Sequence, residues 1–110
     1  MTSDEIEFRC DVLLTFQVAL LGMVVPSLRG VTVGWDEDSI TGICFYDCDI
    51  TDEEVEVASQ IETEIYASFP DHEVSVTAVK YPMPNNLEIK VLEAWAYCRN
   101  EYGPWTQSRD

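Results

Sequence analysis

Two stretches with helical periodicity, each closed by a proline, divide the 110-residue sequence into helical and extended parts. In residues 6–24 apolar side chains recur every three or four positions, and Pro26 stops the helix from continuing. The same spacing returns in residues 55–69 and ends at Pro70. The fold must therefore place two helices of similar length against shorter extended segments.

Short polar motifs mark the start of each helix. Ser3 precedes a run of acidic residues, so its hydroxyl can cap free amides while the acids favour the positive helix end. Thr51-x-x-Glu54 has the pattern of a capping box, which explains part of the acidic run around it without any binding function. The second half of the first helix is apolar nearly all round. This predicts either burial on more than one side or an outer face that meets a partner.

Four segments alternate between apolar and polar side chains, as strands do. We expect strands at residues 29–35 and 40–46, joined by a polar turn at residues 36–39, and a third strand at residues 72–81. After a loop at residues 82–86, a fourth strand is expected from about Val91 to Arg99. Its alternation places Trp95, Tyr97 and Arg99 on one side.

The element order α-β-β-α-β-β predicts an α+β fold. It favours a four-stranded, mostly antiparallel sheet with the two helices packed on one face, and the other face would carry Tyr and Trp side chains together with charge. Residues 1–101 are expected to form a single domain. Residues 102–110 are mostly polar and are expected to form a C-terminal tail.

Negative charge is concentrated in the middle of the chain. Nine of the 21 Asp and Glu residues lie in residues 36–56, and between residues 30 and 79 the only basic side chain is His72. The formal net charge of −15 would repel nucleic acid and anionic membrane, and it would speed encounter with a basic surface. The longest apolar stretch, residues 13–25, is shorter than the roughly 20 residues that span a membrane. We expect neither nucleic acid nor membrane as a partner.

Residues for catalysis or metal binding do not form a known pattern. His72 is the one histidine, and its place at a predicted helix-to-strand junction is typical of a surface residue rather than a base. Cys44 and Cys48 lack zinc-ribbon spacing and have no second pair of ligands. The acidic run from residue 47 is not a calcium loop, because its sixth and twelfth positions are Asp52 and Ala58. We expect no enzyme, no metal and no cofactor.

The four cysteines also bear on the cellular compartment. The first five residues include two acids and no basic residue, whereas a secretory signal begins with basic residues. We therefore expect reduced thiols and a cytoplasmic location.

The acidic stretch has two interpretations. Its carboxylates are either simply solvated, or they bind cations of a basic protein partner. In the second case charge would give rapid encounter and aromatic anchors would give residence time. The predicted partner-binding residues are Trp35, Asp36, Glu37, Asp38, Tyr46, Asp47, Asp49, Asp52, Glu53 and Glu56.

Several short motifs resemble those of small bacterial proteins encoded beside polymorphic and contact-dependent growth-inhibition toxins. The motifs cover residues 19–101 and are Ala19-Leu20-Leu21-Gly22, Pro26-x-Leu28-Arg29-x-Val31, Phe45-Tyr46 with the acidic run to Glu56, Thr63-Glu64-Ile65, and Trp95-x-Tyr97-x-Arg99-x-Glu101. One departure is that those proteins usually carry more basic residues around the second strand, where this sequence has Cys44 and Cys48.

The resemblance implies an immunity protein that binds and neutralises a cognate toxin domain in the producing cell. Together with the charge it suggests a basic toxin, and a nuclease is a natural case because its active site must grip phosphate. Two alternatives remain. One is an acidic DNA mimic that regulates another basic protein, and the other is a small-molecule-binding or enzymatic α+β domain, which a deep pocket beside His72 would favour. The sequence leaves the oligomeric state open.

Overall fold

Both long helices begin at a threonine that closes a capping box. In the computed structural model, which describes residues 2–101, the first helix is capped by Thr2, one residue before the expected Ser3. The Glu5 carboxylate accepts the Thr2 N–H at 2.7 Å, and the Thr2 hydroxyl accepts the Glu5 N–H at 3.1 Å. The second box is confirmed, since the Glu54 carboxylate accepts the Thr51 N–H at 2.7 Å.

The described chain folds into two helices, four strands and a short 3-10 helix. These elements are α1 (Ser3–Ala19), β1 (Leu28–Trp35), β2 (Ser39–Tyr46), α2 (Asp52–Ser68), β3 (Glu73–Lys80), the 3-10 helix (Leu87–Lys90) and β4 (Ala94–Cys98). The predicted α+β class and element order are confirmed. The 3-10 helix was not predicted, and the predicted C-terminal tail, residues 102–110, lies outside the described residues.

The sheet has the strand order β3-β2-β1-β4. β1 pairs antiparallel with both β2 and β4, whereas β2 and β3 are parallel. A parallel pair needs a crossover between its strands, and α2 provides it. The expected sheet is therefore found, with one parallel pair where a helix separates consecutive strands.

A bulge in β4 changes which side chains share a face. Thr32 pairs with Trp95 and the preceding residue, Val31, pairs with Tyr97, so Ala96 is the extra residue. Neighbouring residues of a strand point to opposite faces, and Trp95 and Tyr97 therefore lie on opposite sides of the sheet. The prediction that they share one side is wrong.

Both helices cover the same face of the sheet, and a glycine allows the close approach of α1. Phe16 of α1 is fully buried above Gly42, where a Cβ atom would lie 2.7 Å from the Phe16 ring. Glu62, the one polar residue in the apolar stripe of α2, accepts the backbone N–H of Val76 at 2.9 Å. That bond satisfies an amide of the edge strand β3, which would otherwise be open to pairing with another chain.

The first helix is shorter than predicted. It ends at Ala19 and is followed by a turn in which Gly22 has a φ of 80°. Leu14, Val18 and Leu21 remain exposed, so the outer side of this segment is not buried and is free for contacts.

A buried arginine joins the start of β1 to the end of the described chain. Arg29 is 2% exposed, and its Nε and Nη2 atoms donate to the two carboxylate oxygens of Glu101 at 2.5 and 2.9 Å. Its Nη1 and Nη2 atoms also donate to the carbonyls of Tyr81 and Asn85. The hydrogen bonds between the two side chains raise the pKa of Arg29 and lower that of Glu101, so the pair stays ionised. Sequence reasoning did not find this pair.

Candidate partner-binding site

The predicted acidic residues form two separate clusters at opposite ends of β2. The hairpin tip comprises Asp36, Glu37 and Asp38, which precede the strand, and the corner cluster comprises Asp47, Asp49, Asp52, Glu53 and Glu56, which follow it. An eight-residue strand is about 23 Å long, so the structure does not bring the two clusters together.

At the hairpin tip, Asp36 holds the turn in place. Its Oδ1 atom accepts the N–H groups of Asp38 and Ser39, both at 2.8 Å, and the Ser39 hydroxyl at 3.1 Å. The bond from the Asp38 amide, followed by those from Ser39, lowers the pKa of Asp36. Glu37 and Asp38 are exposed. The tip therefore presents ionised carboxylates on a defined turn.

Two acids of the corner cluster have counter-ions within the protein. Asp47 lies 2.8 Å from Nη1 of Arg99, and Asp49 lies 2.6 Å from Nζ of Lys80. The hydrogen bond from Lys80 lowers the pKa of Asp49. Both cations come from distant parts of the sequence. Although residues 30–79 contain no Lys or Arg, these two acids are therefore paired with cations from elsewhere in the chain.

The other three acids of the corner cluster lie on the first turns of α2 and are exposed. Asp52 and Glu53 suit the positive end of the helix dipole. Glu56 accepts a 3.3 Å bond from the amide of Gln60. Helix stability thus accounts for part of their presence, and their exposure leaves them accessible to a partner.

The two predicted aromatic anchors differ in their exposure. Tyr46 is 1% exposed and belongs to the hydrophobic core, and burial raises its pKa to about 12. Its side chain offers no surface to a partner, so we leave it out of the contact surface. Trp35 is partly buried, packs against the core and carries the Arg9 guanidinium 5.6 Å from its ring centre.

A groove of about 690 Å³ lies between the start of α1 and the hairpin tip, and we call it the tip groove. Its carboxylates are Asp4, Glu5, Asp36, Glu37 and Glu93. Its other side chains are Phe8, Arg9, Trp35 and His72. Sequence reasoning found only Trp35, Asp36 and Glu37 of this set. It attributed the acids of the first helical turn to the positive end of the helix dipole alone.

His72 is packed among aromatic rings rather than lying free on a surface loop. Its ring stacks on Phe8 with 5.3 Å between centres and meets Phe69 edge-on at 5.9 Å. Its Nδ1 atom is buried and has no hydrogen-bond partner within residues 2–101. A buried polar atom of this kind is usually satisfied by water or a ligand.

Within residues 2–101 the side chains are not arranged for metal binding or for redox chemistry. Within residues 2–101 no three His, Cys, Asp or Glu side chains lie close enough to hold a metal ion. Cys10, Cys44, Cys48 and Cys98 are all free thiols, and burial raises the pKa of Cys44 to about 12. None of the described helices combines the length and the apolar character needed to cross a membrane.

Comparison with protein-family models gives one match, to a model described as MafI2 immunity protein, over residues 9–101. No curated protein matches the chain. The matched range contains β1 to β4 and α2, and within the described residues it leaves out only residues 2–8, which include the first turns of α1.

Proposed function

Because the chain belongs to the MafI2 immunity protein family, whose members are non-enzymatic inhibitors of a cognate toxin, we propose that it neutralises its toxin by binding a basic surface through its carboxylates. The proposed contact residues are Trp35, Asp36, Glu37 and Asp38 at the hairpin tip, and Asp52, Glu53 and Glu56 at the corner. Asp47 and Asp49 would contribute less, since Arg99 and Lys80 already neutralise them.

The observation that carries this proposal is the large excess of exposed negative charge. The net charge is −15, and the described structure pairs only two of the predicted acids with cations. Such a field accelerates association with a basic protein and disfavours partners of like charge.

A basic toxin that acts on nucleic acid fits this surface best. A nuclease must bind phosphate with Lys and Arg, and an acidic protein that covers those residues would block the substrate. Neutralisation would take place in the cytoplasm of the producing cell, where the toxin would otherwise act, as in contact-dependent growth inhibition.

The experiment that tests this proposal is protection during co-expression. Cells would express the toxin domain encoded beside this gene, together with the parent protein or a variant carrying Lys at Asp36, Asp38, Glu53 and Glu56. We expect the parent to restore growth and the variant to protect poorly at equal protein level. Equal protection by both would refute the electrostatic mechanism, while failure of the parent would refute neutralisation of that toxin.

The tip groove beside His72 is the one observation that favours a small-molecule ligand. Its floor is partly aromatic, as in many ligand sites. Native mass spectrometry of the purified protein tests this second candidate. A retained mass that disappears on denaturation would support it, and a spectrum of the bare chain alone would count against it.

A further inference from the structure

We propose that the tip groove receives an arginine side chain of the toxin. This inference rests on the proposed function and deepens it, because it names the part of the acidic surface that makes the central contact and the group that fills it. The floor of the groove, its free carboxylates and its shape each favour a guanidinium as the occupant.

Aromatic rings form the floor of the groove. Phe8 and His72 are stacked, Phe69 supports both of them edge-on, and Trp35 packs against the hydrophobic core. A planar guanidinium stacks favourably on such rings, and it does so better than an ammonium group. The molecule contains an example of this contact, since the Arg9 guanidinium already lies over Trp35.

The charge around the floor is unbalanced. Five carboxylates line the groove, and Arg9 is the one lysine or arginine among its lining residues. Of these carboxylates, Glu5 is used in the α1 capping box and Asp36 in the turn. Asp4, Glu37 and Glu93 are exposed and make no side-chain hydrogen bond or ion pair with any residue in the range 2–101. Three carboxylates therefore remain for an incoming guanidinium, whose five N–H donors can bind several oxygens at once.

The shape of the groove distinguishes it from the corner cluster. The corner acids lie on the outer surface of a helix start, and two of them are already paired. In the tip groove a guanidinium would lie between low-dielectric walls, where each charge contact is stronger than on a convex surface. His72 also lines the groove, and its buried Nδ1 atom has no hydrogen-bond partner within residues 2–101.

The test compares two charge-reversal variants that change the net charge equally. The groove variant combines Glu37→Lys and Glu93→Lys, and the corner control combines Glu53→Lys and Glu56→Lys. Calorimetric titration with the purified toxin domain encoded beside this gene gives the Kd of each. We expect the groove variant to weaken binding by at least about tenfold more than the control, because charge contacts that the bound partner encloses are stronger than contacts at the rim of an interface. Circular dichroism verifies that both variants remain folded. If either unfolds, a milder variant that combines Glu37→Gln and Glu93→Gln replaces the groove variant and should also lose more affinity than the corner residues changed in the same way.

Three other results would each overturn the inference. If the corner control loses more affinity than the groove variant, the groove is not the central contact, although the proposed function stands. If both lose affinity equally, only long-range charge acts, and the groove holds no specific side chain. If the parent itself does not bind the toxin domain, the proposed function fails, and the groove inference fails with it.

Discussion

Replacing Glu101 with glutamine should strongly destabilise the fold, because it leaves the buried Arg29 without its counter-ion. Arg29 is 2% exposed and the Glu101 side chain 7% exposed, and both carboxylate oxygens accept bonds from the guanidinium. Glutamine has nearly the same shape, but its NH₂ group is a donor and would face an Arg29 donor.

The expected magnitude follows from this burial. Breaking a buried ion pair by removing one partner costs about 3–5 kcal/mol of unfolding free energy. Arg29 keeps its bonds to the carbonyls of Tyr81 and Asn85, so we expect the lower end, about 3 kcal/mol. Total stability of a domain this size is about 5–15 kcal/mol, so this loss is a large fraction of it.

Urea denaturation followed by circular dichroism measures the change in unfolding free energy. The melting temperature should fall by roughly 12–24 °C. The matched control is Glu64→Gln, the same chemical change at an exposed position of α2, which should stay within about 0.5 kcal/mol of the parent. If Glu101→Gln behaves like this control, the pair does not hold the end of β4 to β1, and our description of it is incorrect.

Three further predictions concern the stability of the fold. The pKa of Glu101 is lowered in the folded state below its usual 4.5, so the stability that Glu101 contributes is present above that pH and is lost as the pH falls through the folded value. The difference in unfolding free energy between the parent and Glu101→Gln should therefore shrink below about pH 4.5, and a difference that stays constant would contradict this linkage. Gly42→Ala should lower the unfolding free energy by about 1–3 kcal/mol, because the added Cβ would lie 2.7 Å from the Phe16 ring. In a double-mutant cycle followed by urea denaturation, Phe16→Leu should cost less unfolding free energy in the Gly42→Ala variant than in the parent. Thr51→Ala should cost about 1 kcal/mol through loss of the α2 cap, whereas Ser59→Ala on the exposed side of α2 should be nearly neutral in the same assay.

Features that depend on neighbouring residues were predictable from the sequence. The capping box at Thr51 and Glu54 involves residues three apart, and the alternation in β1 and β2 directly indicates which side chains face the helices. The sequence also indicated the turn at the hairpin tip, because four consecutive polar residues separate two alternating segments.

Features that depend on distant residues were not predictable in this way. Arg29 meets Glu101 across 72 positions, and the Lys80 that neutralises Asp49 is 31 positions away. The bulge at Ala96 places Trp95 and Tyr97 on opposite faces of the sheet, and no local signal in β4, such as a glycine, indicates it.

The residues of the tip groove likewise divide into those that the local sequence indicates and those that only the packing of distant segments brings in. Trp35, Asp36 and Glu37 were found because they adjoin the turn, whereas Asp4 and Glu93 join them only through the packing of α1 and of the segment before β4. Tyr46 was predicted as an anchor because it adjoins the acidic run. The strand register, however, places it on the face that the helices cover.

The most direct test is the affinity of the parent protein for its cognate toxin domain, determined at about 50 mM and at about 500 mM salt, where screening differs severalfold. We expect tight one-to-one binding at low salt and a Kd that rises at least tenfold at high salt, because exposed carboxylates make the contact. An affinity that does not change with salt would contradict the electrostatic claim. No binding at low salt would contradict neutralisation of that toxin by direct contact.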